Sequence, residues 1–511
     1  MFPDEEIYID YVPKQKEGDY STNLAFKIAA RKNEEPMKVA DWTAKKIEHP
    51  MIADIKIYPP GFINFIISND YLVRNLTQDF EINIGKGKKI LVEFVSANPT
   101  GPINIVSARA AAVGDSLVKL LKMTGFDAYA EYYVNDTGHQ TELLAESVRV
   151  RMDQILGKEA SIPEDGYHGE YLIDVAKLAL TQKIDTVKEI KKFALNYFIK
   201  VHKTSLENFG VTFDNWVYES EIYKMGLIEQ VLDKLNKKNL VYKKEGAHYF
   251  KATEYGDTED RVIITSDGRN TYLLPDLAYH LGKIDRRYDQ LINIWGPDHH
   301  GYIKRLTGGI VALGFPKDII KVIIVQEVKL KKGNQYIKMS KRAGTFSTLD
   351  ELLSTVSKDV ARFFFLMRSC SQHLDFDLDL AIKQSEENPV YYVQYGHARI
   401  ISILRFAKEK EIDYIGKFNS SLIKEKEEFD LIKQILRFPE IIEDAVKNMD
   451  PYPITYYLID LAHAFHYFYQ KHRVVSEDHV LTQARLFLVS RTADTIRKGL
   501  ELLGVSCPER M

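Results

Sequence analysis

Residues 89–134 constrain the fold more tightly than any other stretch. Lys89-Ile90-Leu91-Val92-Glu93-Phe94 has the apolar run of a buried strand. A turn follows at Ser96–Pro102, and Ser107–Met123 carries small residues at helical spacing. Asp127–Val134 predicts a second strand. Strand, turn, helix, strand is the opening of a parallel sheet, whose ligands lie beyond the carboxyl ends of the strands and beside helix N-termini. The turn Ser96-Ala97-Asn98-Pro99-Thr100-Gly101-Pro102 and its continuation Asn104-Ile105-Val106-Ser107 occupy that position. Backbone N–H groups there suit a nucleotide phosphate. A helix cap after a proline-rich turn is the plainer reading.

The 511 residues have room for roughly three or four domains. Residues 1–82 predict a small α/β unit. Gly18-Asp19-Tyr20-Ser21-Thr22-Asn23 is a turn with capping residues, and Leu24–Ala40 has helical spacing. Ile55–Tyr58 and Phe62–Ile67 are strand-like around Pro59-Pro60-Gly61. Asp79–Lys88 reads as a linker. The parallel-sheet domain takes residues 83–387, with a mostly helical insertion over 141–235 and strand-like runs at 262–265, 290–295 and 321–325. From Asn388 to residue 511 only helical periodicity remains, as in Leu422–Lys447, Ile454–His472 and Leu481–Leu503. The predicted fold class is α/β: a Rossmann-like parallel-sheet domain between a small N-terminal α/β unit and an all-helical C-terminal domain.

Net charge is -3, so any nucleic-acid binding must come from local patches. Cys370 and Cys507 alone exclude a disulfide framework and a four-cysteine zinc site. Met1–Asp10 is acidic and unlike a signal peptide, and no stretch reaches the ~18 apolar residues of a membrane span. A cytoplasmic protein without a membrane partner is expected.

Lys338-Met339-Ser340-Lys341-Arg342 lies between Gly333 and Gly344. Two lysines three apart can reach one polyphosphate, and the glycines allow the segment to close over a nucleotide. Read alone, it is also a solvated basic loop. Glu93 ends the first strand, and Asp276 stands four residues after Tyr272 in Ser266–Asp276. Paired carboxylates with a tyrosine suit a guanidinium, whereas each acid by itself reads as a surface ion pair or cap. His299 and His300 are adjacent, so on a regular element their side chains diverge, and no metal site is expected from them. The Trp295–Gly301 loop lines a nucleotide pocket or serves packing. Asp375-Phe376-Asp377-Leu378-Asp379 reads as turn and helix-cap chemistry.

Taken together, these segments resemble class I aminoacyl-tRNA synthetases and, within them, the arginyl-tRNA synthetases. Ser96–Pro102 is similar to the lead into the family's first signature. Asn135-Asp136-Thr137-Gly138-His139-Gln140 resembles its N-D-x-G-x-Q loop, Ser266–Asp276 its arginine-pocket helix, and Lys338–Arg342 its second signature. Asn388–Arg399 is similar to the start of its helical anticodon-binding domain, and Leu502–Val505 with Pro508–Met511 to its C-terminus.

The resemblance implies ATP-dependent ligation of L-arginine to the 3′ end of tRNA(Arg) through arginyl-adenylate, with Mg2+ accompanying ATP. By the match, Glu93, Asn98, Tyr272 and Asp276 hold arginine. Gly101, Pro102, Asn104, Ser107, Asp298, His300, Lys338, Met339, Ser340 and Lys341 bind ATP. Lys338, Lys341, Asn104 and Ser107 are the catalytic candidates. Residues 1–82 would contact the tRNA corner, and the chain is expected to act as a monomer. One departure stands out. The first signature normally reads His-x-Gly-His, and here Asn104, Ile105, Val106 and Ser107 stand in its place. The alternative is a non-catalytic tRNA-binding or regulatory protein on the same scaffold.

Overall fold

The structure is a computed structural model and describes residues 7–13, 16–337, 348–414 and 419–511. The N-terminal unit contains β1 (Ile9–Tyr11), β2 (Tyr20–Thr22), α1 (Leu24–Lys32), α2 (Pro36–Ala44), β3 (Ile52–Tyr58), β4 (Phe62–Ile67) and α3 (Asn69–Leu76). Its strands pair antiparallel in the order β1-β2-β4-β3. The helical spacing over 24–40 is split in two. Asn33 takes a left-handed turn (φ 52°) at the end of α1, and Pro36 begins α2.

The middle of the chain runs β5 (Lys89–Glu93), α4 (Ile105–Met123), β6 (Asp127–Val134), α5 (His139–Ile155), α6 (Tyr171–Thr181), α7 (Val187–Asn208) and β7 (Asn215–Tyr218). It continues with α8 (Glu219–Lys224), α9 (Leu227–Lys237), β8 (Val241–Lys244), β9 (Ala247–Phe250), β10 (Arg261–Ile264), α10 (Leu273–Asp285) and β11 (Gln290–Trp295). It ends with α11 (Ile303–Ala312), β12 (Ile320–Ile324), β13 (Val328–Lys332), β14 (Gln335–Ile337), α12 (Leu349–Leu353), α13 (Lys358–Leu366), β15 (Leu374–Asp377) and α14 (Leu378–Ala381).

Five strands form a fully parallel sheet in the order β12-β11-β5-β6-β7. The chain steps from β5 outward to β6 and β7, then returns to the other side of β5 with β11. A crevice therefore opens beyond the carboxyl ends of β5 and β11, where such folds bind ligands. The small-residue face of α4 lets it lie close to the sheet: a Cβ on Gly114 would stand 2.2 Å from Phe94 Cγ.

Three features differ from the sequence pattern. β7 lies inside the stretch with helical character, because a four-residue edge strand owes its form to β6 rather than to its own periodicity. β10 belongs to a separate antiparallel sheet, β10-β9-β8. β13 pairs antiparallel with β14 and parallel with β15.

The remainder is helical: α15 (Pro389–Glu409), α16 (Lys426–Leu436), α17 (Phe438–Asn448), α18 (Tyr452–Lys471) and α19 (His479–Leu503). The pattern over 422–447 is two helices, because Pro439 starts α17 afresh. Arg362 of α13 ties this bundle to the sheet domain. Its buried guanidinium donates to Leu503 O (2.8 Å) and Phe209 O (3.2 Å) and pairs with Asp115 on α4.

The N-terminal unit is held to the bundle by polar contacts. Glu440 of α17 accepts from the hydroxyls of Tyr11 (2.5 Å) and Tyr20 (2.7 Å). The Arg437 guanidinium lies 3.5 Å from the centre of the Tyr11 ring, and Lys433 pairs with Asp19 at 2.7 Å. Between the two parts runs a cleft of about 1350 Å3. Among the described residues no helix is long and apolar enough to cross a membrane.

Candidate active site

Several candidate segments gather at the carboxyl end of the parallel sheet. Glu93 is the last residue of β5, the 135–140 loop follows β6, Glu219 follows β7, and Gly296–His300 follow β11. Backbone strain marks the first of these points. Val95 and Ser96 both take positive φ (70° and 40°), a conformation disfavoured for side chains with a Cβ and held only where the surroundings enforce it. Here the Ser96 hydroxyl donates to Glu93 Oε1 (2.9 Å) and accepts from Tyr133 N (3.1 Å).

The turn from Ala97 to Gly101 rests on a buried polar support. His202 Nε2–H donates to Gly101 O (2.7 Å), and its Nδ1 stands 2.9 Å from the Tyr132 hydroxyl. That hydroxyl is also 3.0 Å from Ala97 O. Burial pushes the His202 pKa down, consistent with this neutral tautomer. Tyr171 closes the far side, with its hydroxyl 3.2 Å from Thr100 O and its ring where a Cβ on Gly101 would fall.

Glu93 and Asp276 converge. Asp276 is half-buried in the first turn of α10, and its carboxylate accepts from the Tyr302 hydroxyl at 2.6 Å. Burial drives its pKa up to about 7, and the negative charges of Glu93 and Glu219 push the same way. The Tyr302 hydrogen bond and the Lys283 ammonium oppose them. The same three acids raise the pKa of Tyr133 beyond what burial does. Tyr133 and Tyr279 pack ring to ring at 4.4 Å as one wall. The pocket is therefore acidic and aromatic, with the buried ammonium of Lys283 2.5 Å from Glu93 Oε2. A planar cation is the group such a pocket favours.

Neither acid is bare. Glu93 is matched by Lys283 and Asp276 by Tyr302, so an incoming cation shares carboxylates that already have partners. Tyr272 is the exposed N-cap of α10, 74% accessible, and the phenol that reaches Asp276 belongs to Tyr302. Asn98 is exposed and bonded to Gln140. Asn135, with its amide oriented so that the nitrogen faces the carboxylate, donates to Glu219 Oε2 at 2.7 Å, and Asp136 accepts from Ser220 N and Oγ at 2.9 and 2.7 Å. The 135–140 loop thus sets both Asn98 and the start of α8.

On the phosphate side, Asn104 caps α4, with its Oδ1 accepting from Ser107 N at 2.7 Å. The N-terminus of a 19-residue helix opens at that point. Asp298 and His300 lie exposed in a 3-10 turn after β11. Lys338, Met339, Ser340 and Lys341 fall outside the described residues. The residues flanking them are informative. β14 ends at Ile337, and Thr348 bridges to Asn104 while Leu349 N donates to Ile103 O (2.9 Å), so the chain re-emerges against the cap of α4. The acids of 375–379 secure that hairpin: Asp375 accepts from Tyr336 and Asp379 from Gly333 N, while Asp377 caps α14.

Glu219, Lys283, Tyr302 and His202 are absent from the candidates read from sequence. One signal existed for Lys283. On the otherwise apolar helix α10, Asp276, Tyr279, His280 and Lys283 recur at helical spacing, a polar stripe directed inward.

The family model for the catalytic domain of class I (R) tRNA synthetases matches residues 70–363. An arginine--tRNA ligase from Halalkalibacterium halodurans is 44% identical over 99% of this chain and 94% of its own. The chain belongs to the arginyl-tRNA synthetase family. The Bacillus subtilis member is 43% identical over 98% of this chain and 93% of its own. The arginyl-tRNA synthetase N-terminal domain matches residues 2–67 and the DALR anticodon binding domain residues 393–511. The Thermus thermophilus arginyl-tRNA synthetase shares the fold, with a TM-score of 0.81 and 21% identity over 99% of this chain and 96% of its own.

Proposed function

We propose that the chain ligates L-arginine to the 3′ end of tRNA(Arg), using ATP. The observation that carries this reading is the meeting of Glu93 and Asp276 in an aromatic pocket at the switch point of the sheet. An arginine carboxylate oxygen attacks the α-phosphorus of ATP, and pyrophosphate leaves. A hydroxyl of the terminal adenosine then takes the arginyl group, and AMP leaves.

Glu93 and Asp276 hold the guanidinium, with Tyr302 fixing Asp276. Asn98 and Tyr272 lie at the rim of the same site. Gly101, Pro102, Asn104 and Ser107 present the start of α4 to the triphosphate, and Asp298 and His300 flank the nucleotide. Met339 and Ser340 lie between Lys338 and Lys341, whose ammonium groups stabilise the charge that builds on the leaving pyrophosphate. Mg2+ would accompany ATP and supply charge neutralisation as pyrophosphate leaves. Residues 388–511 bind the anticodon arm and residues 1–82 the tRNA corner. The enzyme works as a cytoplasmic monomer.

ATP–pyrophosphate exchange tests the reading. Exchange is expected to require arginine, and its absence both with and without tRNA would remove the assignment. Lys338→Ala is expected to lower kcat by about 10²–10³ with little change in the KM for ATP, because the contact strengthens in the transition state.

The altered first signature makes a separate prediction. Asn104 is already in use as a helix cap, and replacing such a cap costs about 1 kcal/mol. Asn104→His with Val106→Gly and Ser107→His is therefore expected to change kcat by no more than a few-fold. A large gain would show that the backbone donors at α4 and the lysine segment do not compensate for the missing imidazoles.

A further inference from the structure

Lys283 is buried on α10 under the arginine pocket. Burying an ammonium costs several kcal/mol of hydration, and an apolar side chain would fill the space at lower cost. The ammonium is closely matched. Nζ is 2.5 Å from Glu93 Oε2, 3.3 Å from Asn293 Oδ1 and 4.0 Å from the Tyr279 ring centre. Asn293 Nδ2 donates to His280 Nε2 at 2.7 Å, and His280 Nδ1–H donates to Asp276 O at 2.8 Å. Burial and the nearby Lys283 ammonium lower the His280 pKa to about 3, so the ring is neutral and can accept on one side while donating on the other. One unbroken chain of hydrogen bonds runs from the carboxylate of Glu93 to the backbone of Asp276.

We propose that Lys283 is a positioning residue for the arginine pocket. It holds Glu93 oriented, and with the other Glu93 oxygen fixed by Ser96, it sets the net charge that the guanidinium meets. This rests on the arginine site proposed above. A carboxylate has about four acceptor positions, of which Lys283 and Ser96 use two, so room for a guanidinium remains.

The other groups around Glu93 explain why the ammonium is needed. Asp276 and Glu219 are acidic, and Tyr133, Tyr279 and Tyr302 are neutral phenols. Arg286, at the C-terminal end of α10, is committed to Glu131 by two hydrogen bonds of 2.5 and 2.9 Å. Without Lys283, Glu93 Oε2 loses the ammonium that orients it and the pocket loses its buried positive charge. Asp276 also loses a neighbour that favours its charged form.

The test is calorimetric titration of L-arginine into the full chain between about pH 5.5 and about pH 9. The unmodified protein is expected to bind more tightly as pH rises through about 7. In Lys283→Met the midpoint is expected to move up by about one pH unit or more, with arginine Kd at pH 7 at least about tenfold weaker. Lys283→Arg is expected to restore the midpoint. A purely structural lysine would lower thermal stability without moving that midpoint, and an unmoved midpoint in folded Lys283→Met overturns the proposal.

A second measurement needs no variant. At about pH 6, arginine binding to the unmodified protein in buffers of different ionisation enthalpy is expected to release at most about one proton, from Asp276. Release approaching two would mean that a second acid changes its charge when arginine binds, so that Lys283 does not set the charge the guanidinium meets, which also overturns the proposal. No arginine binding at any pH would instead remove the arginine site itself, and this inference with it.

Discussion

Asp276→Asn is expected to weaken arginine binding by about 2–5 kcal/mol, because it removes one member of a desolvated charge pair. Asparagine keeps the shape, and its carbonyl can still accept from Tyr302. What it loses is the charge, and it gains an NH2 group that faces a guanidinium with two donors opposed. ATP affinity is expected to stay within about 0.5 kcal/mol, since the nucleotide site proposed above lies toward α4. Titration calorimetry of each ligand separately checks both halves, and equal losses would argue against a guanidinium pocket.

The pH dependence has a definite sign. The Asp276 carboxyl has a pKa raised to about 7, so it is neutral below that pH and anionic above it. Arginine keeps its positive charge throughout. Affinity therefore falls as the medium is acidified through 7 and levels off above it, and Asp276→Asn flattens this part of the profile. Citrulline, which has the same shape without the charge, is expected to bind poorly to the parent protein. A site with buried acids leaves them unmatched against a neutral ligand, and such penalties reach about 10⁴-fold.

The second large effect concerns assembly. Arg362→Met is expected to destabilise the chain by about 3–5 kcal/mol, the cost of breaking a buried pair from one side. Leu503 O and Phe209 O lose their donor, and unmatched buried carbonyls cost about 1–3 kcal/mol each. Asp115 keeps Lys119 at 2.7 Å, which holds the loss within that range. The seam between α13 and the end of α19 is expected to open first. Denaturant titration with limited proteolysis of the α19 end would show it, and an unchanged first unfolding transition would contradict the role.

How much of this was legible in the sequence depends on where the determining contacts lie. β6 and β11 match the strand-like runs 127–134 and 290–295, since a long apolar run inside a parallel sheet carries its own signal. Glu93 and Asp276 were legible as a candidate pair of acids, but the tyrosine was not: the phenol that reaches Asp276 is Tyr302 and not Tyr272. β7, β8 and β9 were not. Each is four residues long and is a strand only because of what it pairs with. Glu219 looks like a surface charge in a linear reading, and only the fold turns it inward. His202 is farther still from the turn it supports, on a different helix whose approach nothing local specifies.

Glu440 gives the N-terminal sheet its footing. One carboxylate grips two phenols from neighbouring strands, and both grips end on α17 rather than on the parallel sheet. Load applied to the outer sheet is therefore passed to the helices through a two-pronged clasp. From α17 the same load reaches the parallel sheet through the seam that Arg362 ties between the bundle and α4.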